Sequence, residues 1–259
     1  MRHGSIALVL SLALAGAGCS TWSRGENAEL PEAPRRVERP TLLDAVDDDA
    51  KQVLERALAD SGRRILVSKE RRYLWLMEGN RVVFDAPVAI GRDTIFRYGN
   101  RTWDFSTPAG RRVVQGKETD PLWVPPDWHY YEKAVEDDLE PVQLAMNSRV
   151  RLEDGTRIEV RGNDVGRVNQ YGNFWPFTPG TEIIFDGKIF MPPIGTRQRQ
   201  IPEVLGTRRL ILGDGYLIHG TPEIASIGTA ASHGCVRMRN QDVEELYALV
   251  DAGTAVYIY

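Results

Sequence analysis

The stretch "RRILVSKERRYLWLMEGNRVVFDAPVAIG", residues 63–91, decides the fold class of this chain. Apolar and polar residues alternate on either side of Glu78-Gly79-Asn80, the period of two that belongs to strands, so the break reads as a hairpin turn. Two more hairpins are predicted downstream, in "RVRLEDGTRIEVRG" (149–162) and "TEIIFDGKIFMPP" (181–193), each turning on an Asp-Gly pair. Near the end, "NQDVEELYALVDAG" (240–253) carries Val243, Leu246, Tyr247 and Val250 on one helical face, with Asn240 as the expected cap and Gly253 as the stop. A last strand, "TAVYIY", follows. The expected class is mainly β with short flanking helices.

Upstream of the strands, "TLLDAVDDDAKQVLERALADSG" (41–62) spaces Leu43, Val46, Ala50, Val53, Leu54 and Ala57 as a helical lead-in. Its acidic start lacks the spaced oxygens and central glycine of a calcium loop. Residues 19–40 are polar and proline-bearing and read as a tether, with a reach on the order of 25 Å as a flexible coil. The first eighteen residues have a basic start, an apolar run from Ile6 to Ala15 and small residues ahead of Cys19. That run is too short to span a bilayer and suits a signal peptide. Ala17 and Gly18 before Cys19 look like the end of a lipobox, in which the cysteine is acylated and anchors the chain to a membrane. Ser20 points to the outer membrane rather than the inner one, and hence to the periplasm.

Of 259 residues, 42% are hydrophobic and 26% charged, and the formal net charge is -4, which suits a globular domain. Arginines are spread along the chain rather than gathered in a strip, so no nucleic-acid partner is expected.

The chain has two cysteines. If Cys19 carries lipid, Cys235 has no disulfide partner, although exported cysteines normally pair. A chemical role for the thiol then becomes the better explanation. His219 and His233 both lie within sixteen residues of Cys235. An imidazole at hydrogen-bond distance can take the thiol proton and create the nucleophile. His219 ends the predicted strand "GYLIHG", and Cys235 begins the turn before the last helix. The glycine before the thiol lets the amides of His233, Gly234 and Cys235 converge as an oxyanion hole needs. His233, two residues from the thiol, is poorly placed as the base and is given a structural or orienting role. Zinc is the competing use of a Cys-His-His group, but only three ligand types converge, so no metal and no cofactor is expected.

"IHGT", ten residues, then "SHGCVRM" (232–238) resembles the active-site signature of the L,D-transpeptidases, the YkuD-type peptidoglycan enzymes. "LWLMEGNRVVFDAPVAIG", "STPAG" (106–110) and "LILGDGYLIHG" (210–220) resemble other parts of that family. The resemblance implies a β-sandwich over 63–259, with an extended middle at about 120–202. It implies Cys235 as nucleophile, His219 as general base and the Gly220 carbonyl as the group that orients the imidazole. Ser232, His233 and Gly234 belong to the same motif. Arg237 resembles a substrate-carboxylate contact, although many relatives have asparagine there.

The implied substrate is a peptidoglycan tetrapeptide stem, from which D-alanine leaves as a thioester forms. The acceptor is an amine of a second stem or of a wall-linked lipoprotein. Water as acceptor would make the chain an L,D-carboxypeptidase or a hydrolase that releases wall-linked lipoprotein. A non-catalytic peptidoglycan-binding lipoprotein is the alternative of a different class. Two aromatic stretches, "PLWVPPDWHYYEK" (121–133) and "NQYGNFWPFTPG" (169–180), read equally as lids over the substrate or as ordered loops packed on their own domain.

Overall fold

The computed structural model describes residues 47–259. The expected leader, Cys19, the tether and the first residues of the helical lead-in, with Leu43 and Val46, lie outside them. Helix α1 (Asp48–Ala59) starts where Asp47 Oδ1 accepts the N–H of Ala50 at 2.7 Å, and it buries Ala50, Leu54 and Ala57. Among the described residues no helix is long and apolar enough to cross a membrane.

Two sheets make the main body. The first has five strands in the order Arg81–Pro87, Tyr73–Glu78, Arg63–Ser68, Ala255–Ile258 and Gly110–Val113. The opening hairpin pairs Arg63 with Glu78 and Tyr73 with Pro87 in turn, and the last strand of the chain lies parallel to the first. The second sheet runs Val236–Arg239, Tyr216–Thr221, Arg208–Gly213 and Gly116–Thr119. Ile65, Val67, Leu74 and Leu76 of the first sheet share one buried cluster with Leu210, Leu212, Ile218, Val236 and Met238 of the second. This is the sandwich core.

Alternation holds less well than the sequence suggests in strand Arg63–Ser68, where every residue after Arg63 is buried. The reason is a second covering layer. Leu66, Trp75, Met77 and Tyr257 point away from the sandwich core and pack under Ala50, Leu54 and Ala57 of α1. A strand covered on both faces has no solvent side to advertise as polar.

The extended middle leaves the second sheet after Thr119 and re-enters at Arg208, and these two residues are cross-strand partners. It holds helix α2 (Asp127–Glu136) and two small sheets with their own core of Leu144, Leu152, Ile158, Val160, Val165, Ile183 and Phe190. Both Asp-Gly hairpins expected from the sequence are found here. Tyr131 of α2 packs against Tyr98 and Trp103 of the hairpin Ile95–Asp104, at ring separations of 4.7 and 5.5 Å. Buried Arg199 fastens the start of α2. Its three guanidinium nitrogens donate to Pro125 O, Pro192 O and Asp127 Oδ1 at 2.7–2.8 Å. Each nitrogen of the planar fork makes one of these bonds.

Helix α3 (Asn240–Leu249) adds Val243, Leu246 and the following Val250 to the sandwich core. The expected cap is corrected. Arg239 occupies the N-cap position without a side-chain cap bond, because strand Val236–Arg239 runs directly into the helix. Asn240 Oδ1 instead accepts the N–H of Thr207 at 3.2 Å, which ties the helix to the chain re-entering from the middle.

Candidate active site

Strands Tyr216–Thr221 and Val236–Arg239 are parallel neighbours, with Ile218 opposite Val236 and His219 opposite Arg237. Ile218 and Val236 turn into the core. The alternating set therefore turns out, so His219 and Arg237 share one face with Cys235, two residues earlier on the same strand line. All three line a cavity of about 320 Å³. His219 is buried, with Nδ1 2.6 Å from the carbonyl oxygen of Gly220. A carbonyl only accepts, so Nδ1 carries the proton and the lone pair of the neutral ring sits on Nε2. Cys235 is half-buried, and its thiol points to Gly215 O at 3.8 Å. The cavity thus joins sulfur and imidazole, but in this state no hydrogen bond links them.

The turn before the thiol is closed by side chains. Ser232 Oγ accepts the N–H of Gly234 at 3.1 Å and donates to Cys235 O at 2.5 Å. Gly234 therefore does not offer its amide to the cavity, contrary to the oxyanion role expected for it. Its φ of 118° and the 3.1 Å approach of a notional Cβ to Ser106 O explain the glycine. Thr107, in "STPAG", was missed as a site residue. Its hydroxyl accepts from Gly91 N at 2.7 Å and donates to Gly234 O at 2.9 Å, pinning the turn from below. Arg237 is paired with exposed Glu223 at 2.9 Å.

A family model described as the L,D-transpeptidase catalytic domain, YkuD, matches residues 62–258. The chain belongs to the L,D-transpeptidase family. A Bacillus subtilis relative named as the L,D-transpeptidase YkuD is 58% identical over 151 residues, covering 58% of this chain and 76% of its own. An Escherichia coli relative, the L,D-transpeptidase YbiS, is 46% identical over 52 residues, which are 20% of this chain and 17% of that protein. A solved L,D-transpeptidase structure from Xylanimonas cellulosilytica has 17% identity and a TM-score of 0.41, covering 77% of this chain and 61% of that one. The match thus spans less than two thirds of the latter two proteins.

The electrostatics of the site in this family member follow from burial. His219 is pushed down to about 4, mainly by desolvation, against the carbonyls of Gly220 and Leu205 that favour its proton. Burial also pushes the Cys235 thiol up, opposed by the Leu217 amide and the charge of Arg237. At neutral pH both groups are therefore uncharged at rest. Among the described residues, no three His, Cys, Asp or Glu side chains stand together as a metal would need.

The second wall of the cavity comes from the middle segment: Trp123, Pro126, Trp128, His129 and Glu132. The stretch 121–133 is thus part of the site, whereas residues 169–180 do not line it. His129 lies edge-on to Trp123 at 5.0 Å, and desolvation pushes it down to about 4. His233 stacks on Trp128 with ring centroids 4.0 Å apart and 16° between planes. Glu132 Oε2 lies 2.7 Å from His233 Nε2, and its other oxygen pairs with Arg92. The sequence signal for Trp128 and Glu132 was their spacing of four on a proline-started helix, which puts both on one face.

Proposed function

We propose that this family member is a cysteine acyltransferase acting on peptidoglycan tetrapeptide stems. The supporting observation is the shared cavity face of His219 and Cys235, with the imidazole anchored at Nδ1 so that Nε2 is the available base. The sulfur attacks the carbonyl that joins the third residue of the stem to the terminal D-alanine. Nε2 of His219 takes the thiol proton during attack and delivers it to the departing amine, so D-alanine leaves neutral and a thioester remains. An acceptor amine then attacks the thioester, loses its proton to the same imidazole and regenerates the thiol. The resting pair is uncharged, so deprotonation accompanies attack instead of preceding it.

The oxyanion falls to the amides of His233 and Cys235, which flank the occupied amide of Gly234. Arg237 meets a substrate carboxylate once it exchanges its solvent-exposed partner Glu223. The acceptor is a second stem or a lysine of a wall-linked lipoprotein, and the chain is held at the periplasmic face of the outer membrane through an acylated Cys19. Loss of labelled palmitate incorporation in Cys19→Ser would support the anchor.

Incubation with purified tetrapeptide muropeptides, followed by mass analysis, tests the activity. Cross-linked dimers with released D-alanine are expected, and tripeptides alone would make the chain a hydrolase. No product, or the same product from Cys235→Ala, overturns the acyltransferase reading.

A further inference from the structure

The signature strands do not hold the nucleophile turn alone. Helix α2, which belongs to the extended middle, reaches it through one carboxylate. Glu132 Oε2 is 2.7 Å from Nε2 of His233, and Glu132 Oε1 pairs with the guanidinium of Arg92. Arg92 in turn donates its backbone N–H to Ser232 O at 3.0 Å, and its guanidinium lies 4.6 Å above the ring of Phe105. Phe105 meets His233 edge-on at 4.6 Å, while Trp128 of α2 covers a face of that imidazole. The start of the turn is gripped twice, at Ser232 through Arg92 and at His233 directly, and both grips converge on the Glu132 carboxylate. The side chains of Glu132, His233 and Arg92 are only 20%, 22% and 31% exposed, so solvent screens this bridge weakly.

We propose that Glu132 is a positioning residue of the acyl-transfer site, holding His233 in the Nε2–H tautomer and fixing the Ser232–Cys235 turn against helix α2. An ionised carboxylate only accepts, so Nε2 of His233 must carry the proton and its Nδ1 keeps a lone pair. His219, anchored by a carbonyl at Nδ1, has the opposite tautomer. His219 and His233 are thereby held in different roles, one as base and one as a rigid support for the amide beside the thiol. The middle segment becomes part of the catalytic machinery instead of an appendage.

The proposal rests on the acyltransferase reading, and the experiment separates the two. The full chain, labelled with 15N at histidine, is compared as wild type, Glu132→Gln and Glu136→Gln, the last an exposed residue on the same helix. NMR correlations report each tautomer, with the His233 signal assigned by its loss in His233→Gln. Intact mass reports the rate at which a carbapenem acylates Cys235, and iodoacetamide reports thiol access. The expected result is an Nε2–H tautomer for His233 in wild type that is lost or mixed in Glu132→Gln. In that variant acylation slows about tenfold, while alkylation and the melting temperature hold and Glu136→Gln behaves as wild type. An unchanged His233 tautomer, or unchanged acylation, in Glu132→Gln overturns the proposal. If wild type itself is alkylated but never acylated, the acyltransferase reading fails, and the tautomer result alone then decides the positioning claim.

Discussion

The sandwich and the middle segment build opposite walls of one cavity by different means. The sandwich wall is made of strands, so register alone sets His219 opposite Arg237 and near Cys235. The wall from the middle segment is built on a ten-residue helix, α2, and the residues just before it, held by individual polar anchors: Arg199 at the helix start and the Glu132 bridge at its centre. A ladder of backbone bonds tolerates the loss of one side chain, whereas an anchored helix depends on a few. Loss of the base should therefore act through the sandwich wall, and loss of positioning through the other.

The largest effect is expected on the sandwich wall. His219→Ala should lower kcat/KM for stem peptide by roughly 10²–10⁴-fold with little change in melting temperature, as loss of a general base does. If activity survives, the imidazole is not the base and the division between the walls disappears.

Next comes Arg199→Ala, which leaves two buried carbonyls and Asp127 Oδ1 without their donor, while Arg101 still pairs with Asp127 Oδ2. It should cost about 1–3 kcal/mol, seen as early proteolysis within residues 120–207 while the sandwich remains protected. Uniform destabilisation of the whole chain would show that the two regions melt as one unit.

Acid sharpens the comparison because each wall has a desolvated imidazole, buried His219 on one side and half-buried His129 on the other, both pushed down to about 4. The unfolded chain binds protons at about 6.5 and the folded chain only near 4, so between these values the unfolded state holds more protons. Stability should be full above about pH 6.5 and fall as the pH drops toward 4, by roughly 3 kcal/mol for each group. Denaturation midpoints across this range check the slope. His129→Gln should make the slope shallower, and an unchanged slope would mean that His129 is not shielded from water.

The smallest expected effect is that of Asn240→Ala. Its side chain receives the Thr207 amide where the middle segment rejoins the second sheet, and its loss should cost about 1 kcal/mol. A helix-capping role would instead show as fraying of α3 by hydrogen exchange at Asp242 and Val243.

Residues close in sequence, or repeated with a strand's period, made their structure legible early. The hairpin at Gly79-Asn80, both Asp-Gly hairpins and the buried face of α3 follow from local pattern. So does the grouping of Ser232, His233, Gly234 and Cys235. Partners drawn from distant segments were not legible in this way. Glu132 meets His233 from 101 residues away, and Thr107 meets Gly234 from 127. The Asn240 cap misled because a side chain good at receiving helix amides is equally good at receiving the amide of a neighbouring strand.

By itself the sequence determined the mainly β class and the candidate thiol and imidazoles, since these depend on residue type and short-range spacing. Only the tertiary structure decided that Gly234 has no amide to spare, that sulfur and imidazole share a cavity without bonding, and that an inserted helix supplies its other wall. Those outcomes depend on which buried polar group reaches which partner first, and burial requires every such group to find one.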